Sequence, residues 1–191
     1  MMKLYFATLN ENKFDEVSKI LYNYGMHVEM AKLDLTEIQS DDPTIIASDK
    51  ARNAYRLLHS DVIVEDDGIF IDALKGFPGP YSAFVYKTIG NEGILKLMEG
   101  IADRRATFKS IIAYCDSDMI PFVFVGKVEG TIANAQRGRS WGYDPIFMPK
   151  DSGGLTYAEL NSKKNELSHR RLALEQFAKW YAEMILNKRR Q

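Results

Sequence analysis

Apolar residues recur with two different periods along this chain. Residues 4–7 form a short apolar and aromatic run that reads as a strand ending at Thr8. Over residues 12–24 the side chains Phe14, Val17, Ile20 and Leu21 recur at helical spacing, and Gly25 supplies a stop. Residues 27–30 predict a second short strand. Residues 43–59 predict a helix, with Pro43 near its start and Asp41 or Asp42 as cap. Within residues 61–65, Val62-Ile63-Val64 has the pattern of a buried strand. Strand, helix, strand, helix, strand in this order predicts an α/β fold.

The second half carries more strand signal, at residues 69–71, 107–115 and 122–132, with a helix predicted over 90–98. Residues 136–149 are rich in Gly, Arg and aromatics and read as a loop, with Tyr143-Asp144-Pro145 turning into Ile146-Phe147. A long amphipathic helix is predicted over residues 163–186. There is no internal repeat, low-complexity tract or linker, so residues 1–191 are expected to form a single domain. Lys188-Arg189-Arg190 reads as a solvated basic tail.

Composition narrows the function. The 191 residues are enough to bury a core unaided, and 46% hydrophobic with 27% charged residues is ordinary for a globular protein. A formal net charge of -1 argues against a nucleic-acid or membrane-surface binder, yet leaves small anionic ligands open. No apolar run approaches the roughly 20 residues that span a bilayer, and the N-terminus lacks the apolar stretch of a signal peptide. A cytoplasmic location is expected. The single cysteine, Cys115, excludes an internal disulfide and multi-cysteine zinc sites, and reads as a buried strand thiol.

Several segments carry candidate chemistry, each with a plainer alternative. Thr8, Asn10 and Lys13 surround a strand-to-helix junction, where exposed N–H groups favour anions; a simple helix cap with a surface lysine is the alternative. Glu65-Asp66-Asp67-Gly68 follows the apolar strand, at the end where α/β sheets usually bind ligands. Adjacent carboxylates repel, and a divalent cation relieves that cost; an acidic turn is the alternative. Side chains alternate along extended backbone, so Glu65 and Asp67 would point away from Asp66. Gly76-Phe77-Pro78-Gly79-Pro80 is a rigid turn, either a ligand-facing loop or a structural corner. Trp141 and Tyr143, flanking Gly142, can stack on a nucleobase or pack in the core. Lys164, Ser168, His169 and Arg170 gather polar donors, either for a ring carbonyl or as a hydrophilic helix start. Glu37 and Lys50 carry no signal by themselves.

Taken in order, these segments resemble the inosine triphosphate pyrophosphatase (HAM1-like, XTP/dITP diphosphatase) family, with the overall look of its archaeal members. The matching residues are Thr8-x-Asn10-x-x-Lys13, Glu37-Ile38-Gln39, Lys50, Glu65-Asp66, Gly76-Phe77-Pro78-Gly79, Gly142-Tyr143-Asp144-Pro145 and Lys164-x-x-x-Ser168-His169-Arg170. The resemblance implies an elongated, two-lobed α/β fold on a long central mixed sheet, an active-site cleft between the lobes, and a homodimer. It implies Mg²⁺-dependent hydrolysis of ITP, dITP and XTP to the monophosphate and pyrophosphate, cleansing the nucleotide pool, with Mn²⁺ as a substitute cation. Thr8, Asn10, Lys13 and Lys50 would bind phosphates, and Glu37, Glu65 and Asp66 would hold the metal. Asp66, with Lys13, would be catalytic, Asp66 as general base. Asp67, Gly68, Trp141, Gly142, Tyr143 and Asp144 would line the substrate, and Lys164, Ser168, His169 and Arg170 would complete base recognition.

Three positions depart from the family pattern: Asp67 stands where Ser or Thr is usual, Trp141 where Phe is common, and Leu9 where Gly is frequent. Donor-only groups such as Arg170 suit a 6-oxo purine over adenine's 6-amino group. Guanine shares the 6-oxo group, so its rejection has to arise around the 2-position. Two rivals share this chemistry: a Maf-like pyrophosphatase for modified pyrimidines, which should lack Ser168-His169-Arg170, and a nucleotide sensor that does not hydrolyse.

Overall fold

The computed structural model describes residues 3–188. In chain order the strands are β1 (Leu4–Ala7), β2 (Val28–Ala31), β3 (Val62–Ile71), β4 (Arg105–Cys115), β5 (Phe122–Ile132) and β6 (Phe147–Pro149). They form one sheet in the order β2-β1-β3-β4-β5-β6. β1 pairs in parallel with β2 and β3, and β6 pairs antiparallel with β5, so the sheet is mixed. The helices are α1 (Glu11–Tyr22), α2 (Pro43–Leu58), α3 (Ser82–Thr88), α4 (Gly90–Leu97), α5 (Tyr157–Leu160), α6 (Lys164–Leu167) and α7 (His169–Lys188). This is the α/β fold that the alternating periods predict. Among the described residues no helix is long and apolar enough to cross a membrane. Arg189 and Arg190, expected in a solvated basic tail, lie outside the described residues.

The chain forms two compact units. One holds the residues up to Asp66, Ser110–Gly126 and those from Arg170 on; the other holds Asp67–Lys109 and Lys127–His169. In the first unit, α1 begins where Asn10 Oδ1 accepts the Lys13 amide at 3.2 Å. It ends after Val17, Ile20 and Leu21 have been buried. α2 starts as its sequence dictates, with Pro43 in its first turn and Asp42 accepting the Thr44 amide at 2.9 Å. α7 buries Ala173, Leu174, Phe177, Ala178 and Tyr181 at helical spacing against Phe6, Ile63, Ile112 and Tyr114. Fully burying a side chain such as Leu174 or Phe177 contributes about 1.5–3 kcal/mol. Cys115 is buried among Ala7, Val62 and Ala113, as expected, and burial pushes its thiol pKa up.

Two expectations about elements are corrected. The strand expected over residues 61–65 does not stop at the acids: β3 runs unbroken for ten residues through them, because Ile69 and Ile71 resume the apolar pattern and bury in the second unit. The helix expected over 163–186 is divided. Ser168 adopts extended backbone (φ -79, ψ 150), ending α6 before α7 begins at His169.

The second unit fixes β3 by a close approach at Gly68. A Cβ there would lie 2.3 Å from the Gly79 carbonyl oxygen and 3.0 Å from Ser82 Oγ. Those groups are tied down, since Ser82 Oγ donates to Gly79 O at 2.7 Å and accepts from the Ile69 amide at 3.0 Å. Gly68→Ala is therefore expected to cost about 1–3 kcal/mol, the range for overpacking a well-packed site. A thermal melt should show it as a fall of several degrees; an unchanged midpoint would mean that β3 and the Gly79 turn move apart easily.

Candidate active site

In the first unit, β1 delivers Thr8 to the start of α1. Thr8 Oγ1 accepts the Asn10 amide at 3.1 Å, and Asn10 in turn caps the helix. Lys13 lies in the first turn, so its ammonium sits at the positive end of a helix, where anions are favoured. Its Nζ is 3.6 Å from Glu65 Oε2.

Glu65 is the centre of a buried charge network. Ser110 Oγ donates to its Oε1 at 2.6 Å, and Arg170 Nε donates to Oε1 at 2.9 Å and Oε2 at 3.0 Å. Arg170 Nη1 also pairs with Glu16, one helical turn after Lys13. The Glu65 and Arg170 side chains are 0% and 1% exposed. Desolvating such charges costs several kcal/mol per ion, which close pairing and hydrogen bonds offset. Arg170, expected at a base, pairs with the carboxylates of Glu65 and Glu16. Asp66 follows Glu65 on β3 and is half-buried. Lys50 on α2 pairs with Glu37 on the segment before that helix.

The second unit gathers a different set. Lys164 Nζ donates to Asp144 Oδ2 at 2.8 Å, and Ser140 Oγ donates to the same oxygen at 2.7 Å. The ammonium also lies 4.9 Å from the Trp141 ring centroid and 5.7 Å from that of Tyr157. Ser168 and His169 are buried. The His169 ring stacks on Phe108 at 4.1 Å with a 9° interplanar angle, and its Nε2 is 4.0 Å from Asp67 Oδ2. Tyr143 is buried in the core, and its hydroxyl donates to Ser82 O at 2.8 Å. Burial first, then the neighbouring Tyr86 and Asp67, raise its phenol pKa above the usual value. Gly142 takes φ +62, the left-handed region that favours glycine, and its carbonyl accepts from Asn91 Nδ2 at 3.0 Å.

Sequence reasoning missed Ser110, Glu16, Ser140, Asn91 and Phe108. Glu16 was findable, being three residues from Lys13 on one helix face. Ser110 was findable as the one aliphatic hydroxyl in the run that completes β4. Ser140 and Asn91 act through contacts that no local spacing announces.

The carboxylates suit a hard divalent cation. No group of three or more His, Cys, Asp or Glu residues among the described residues forms a metal cage. Mg²⁺ usually binds through one or two carboxylates plus waters and phosphates. Glu37, with a side chain 53% exposed, and Asp66 supply oxygens of that kind.

A mixed sheet with a lysine-bearing helix N-terminus and adjoining carboxylates describes an α/β protein equipped for phosphorylated ligands. The model of the Ham1 family matches residues 4–180, and the chain belongs to that family. It is 50% identical to the dITP/XTP pyrophosphatase of Methanopyrus kandleri, over 96% of this chain and 98% of that protein. It is 46% identical to the dITP/XTP pyrophosphatase of Pyrobaculum aerophilum, over 98% of this chain and 100% of that protein. Among solved structures, a HAM1 protein from Coxiella burnetii superposes with a TM-score of 0.82 at 30% identity, covering 96% of this chain and 100% of that one. The Ham1 protein of Staphylococcus aureus gives 0.78 at 29% identity, covering 95% and 100%.

Proposed function

We propose that this chain is a nucleoside-triphosphate pyrophosphatase that hydrolyses dITP, ITP and XTP to the monophosphate and pyrophosphate. The observation that carries this reading is the likeness, over nearly the whole chain, to proteins named dITP/XTP pyrophosphatase. The residues support it. Thr8, Asn10, Lys13 and Lys50 provide donors and positive charge for a triphosphate. Asp66 accepts the proton of the water that attacks the α-phosphorus, while the bond to the bridging oxygen breaks and pyrophosphate departs. Lys13 neutralises charge that develops on the phosphate oxygens. Glu37 and Asp66 would hold Mg²⁺, or Mn²⁺ in its place. When bound, the cation would neutralise part of the triphosphate charge and ease deprotonation of water.

In the second unit, Trp141 offers a ring face to a base, and Lys164 is a donor-only group that suits a 6-oxo purine over adenine. Asp67, Gly68, Gly142, Tyr143, Asp144, Ser168 and His169 shape this set. A homodimer in the cytoplasm, clearing non-standard purines from the nucleotide pool, completes the reading.

The test is pyrophosphate release from dITP, ITP, XTP, dATP, dGTP, dCTP and dTTP, with Mg²⁺ and with EDTA. Mg²⁺-dependent release that favours dITP, ITP and XTP at least a hundredfold is expected. Equal rates on dGTP would remove the substrate assignment, and no release from any of the seven by folded protein would remove the activity.

A further inference from the structure

We propose that Glu65 gives no oxygen to a divalent cation: it is the internal counter-ion that fixes Lys13 and Arg170, and Ser110 is its positioning residue. This deepens the pyrophosphatase reading and rests on it. An ionised carboxylate offers about four lone-pair sites on two oxygens. On Glu65, Oε1 accepts from Ser110 Oγ at 2.6 Å and Arg170 Nε at 2.9 Å. Oε2 accepts from Arg170 Nε at 3.0 Å and faces Lys13 Nζ at 3.6 Å. The carboxylate is thus surrounded by one hydroxyl and two cations, with 0% of its side chain exposed.

Mg²⁺ keeps several of its waters and needs oxygens at about 2.0–2.1 Å. Binding Glu65 would bring it to a dry carboxylate with a guanidinium and an ammonium already in contact, where like charges repel. Glu37 contrasts, with a side chain 53% exposed. Lys13 and Arg170, in turn, would repel one another if no anion lay between them. Glu65 holds both at set distances, and Glu16 grips the far end of the same guanidinium. Ser110 is neutral and fully buried, and its hydroxyl fixes the carboxylate without altering the charge count. Its place on β4 makes the sheet the reference for both cations.

Two measurements without substrate separate a counter-ion from a metal ligand. The first is the melting temperature in EDTA. The second is Mn²⁺ affinity, followed by electron paramagnetic resonance. Glu65→Gln is expected to melt about 10 °C lower in EDTA, as breaking a buried ion pair does in a chain of this size. Its Mn²⁺ Kd should stay within threefold of the unsubstituted protein, whereas Asp66→Asn should weaken Mn²⁺ at least tenfold.

A tenfold loss of Mn²⁺ affinity in Glu65→Gln, or an unchanged metal-free melting temperature, overturns the proposal. Should Glu65→Gln fail to fold, Ser110→Ala decides the same question with a smaller change. It is expected to melt about 2–4 °C lower, bind Mn²⁺ normally, and raise KM for dITP about fivefold with kcat within twofold. An unchanged KM, or weakened Mn²⁺ binding, counts against it. If the unsubstituted protein releases no pyrophosphate from dITP, the pyrophosphatase reading fails, while the melting and Mn²⁺ results still decide the role of Glu65.

Discussion

Asp66→Asn is expected to lower kcat for dITP by about 10²–10⁴-fold, the range for removing a positioned general base. The substitution keeps the size and shape of the side chain but removes its negative charge and its basicity. Asp66 is half-buried in the middle of β3, directly after the buried Glu65, so the backbone that presents it is held by the sheet. Circular dichroism and a thermal melt should therefore match the unsubstituted protein while turnover collapses. Retention of more than a tenth of the original kcat would assign the proton transfer to another group, with Asp67 the first to test.

The second large effect is on stability. Lys164→Met is expected to cost about 3–5 kcal/mol, because it strands a buried carboxylate. Asp144 is 3% exposed, and its Oδ2 accepts from both Lys164 Nζ at 2.8 Å and Ser140 Oγ at 2.7 Å. Methionine fills much of the same volume beside Trp141 and Tyr157 but offers no donor and no charge. Ser140 would remain as a neutral partner, too weak to replace an ammonium. Adding Asp144→Asn to Lys164→Met should restore more than half of the lost stability, since the uncompensated charge disappears. A double-mutant cycle by urea denaturation measures the coupling directly. Additive losses would show that Lys164 stabilises by packing on the rings rather than through Asp144.

Much of the fold was readable from local signals. α2 begins with an Asp cap and Pro43, and β5 has the bounds that its apolar pattern predicts, because each depends on neighbours in sequence. α3 and α5 were missed. α3 is seven residues long and follows a Pro- and Gly-rich turn, so it offers barely two helical periods. α5 is four residues long and is held by a capping box between Thr156 and Glu159. The break at Ser168 was hidden because polar residues around it continue a helical pattern; tertiary burial of Ser168, His169 and Arg170 decides the backbone there.

The candidate site followed the same division. Lys13, Glu65 and Lys164 could be nominated from residue type and order. Their partners lie far away in sequence: Ser110 is 45 residues from Glu65, Arg170 is 105, and Asp144 is 20 from Lys164. Such pairings depend on how β3, β4 and the chain after α6 come together, and no local period encodes them. The arginine illustrates the gap, since its residue type alone does not announce its pairing with Glu65 and Glu16.

The unbroken course of β3 has an evolutionary consequence. Each acid's assignment there depends on odd or even position, because neighbouring residues of a strand face opposite ways. A point substitution changes one acid, but a single-codon insertion or deletion between Val62 and Glu65 inverts all the acids that follow it: the anion meant for the interior turns outward and the reactive one turns in. This stretch should therefore hold its length more strictly than its letters, and lineages of such proteins should vary in length in the connecting segments and keep the count of residues here constant.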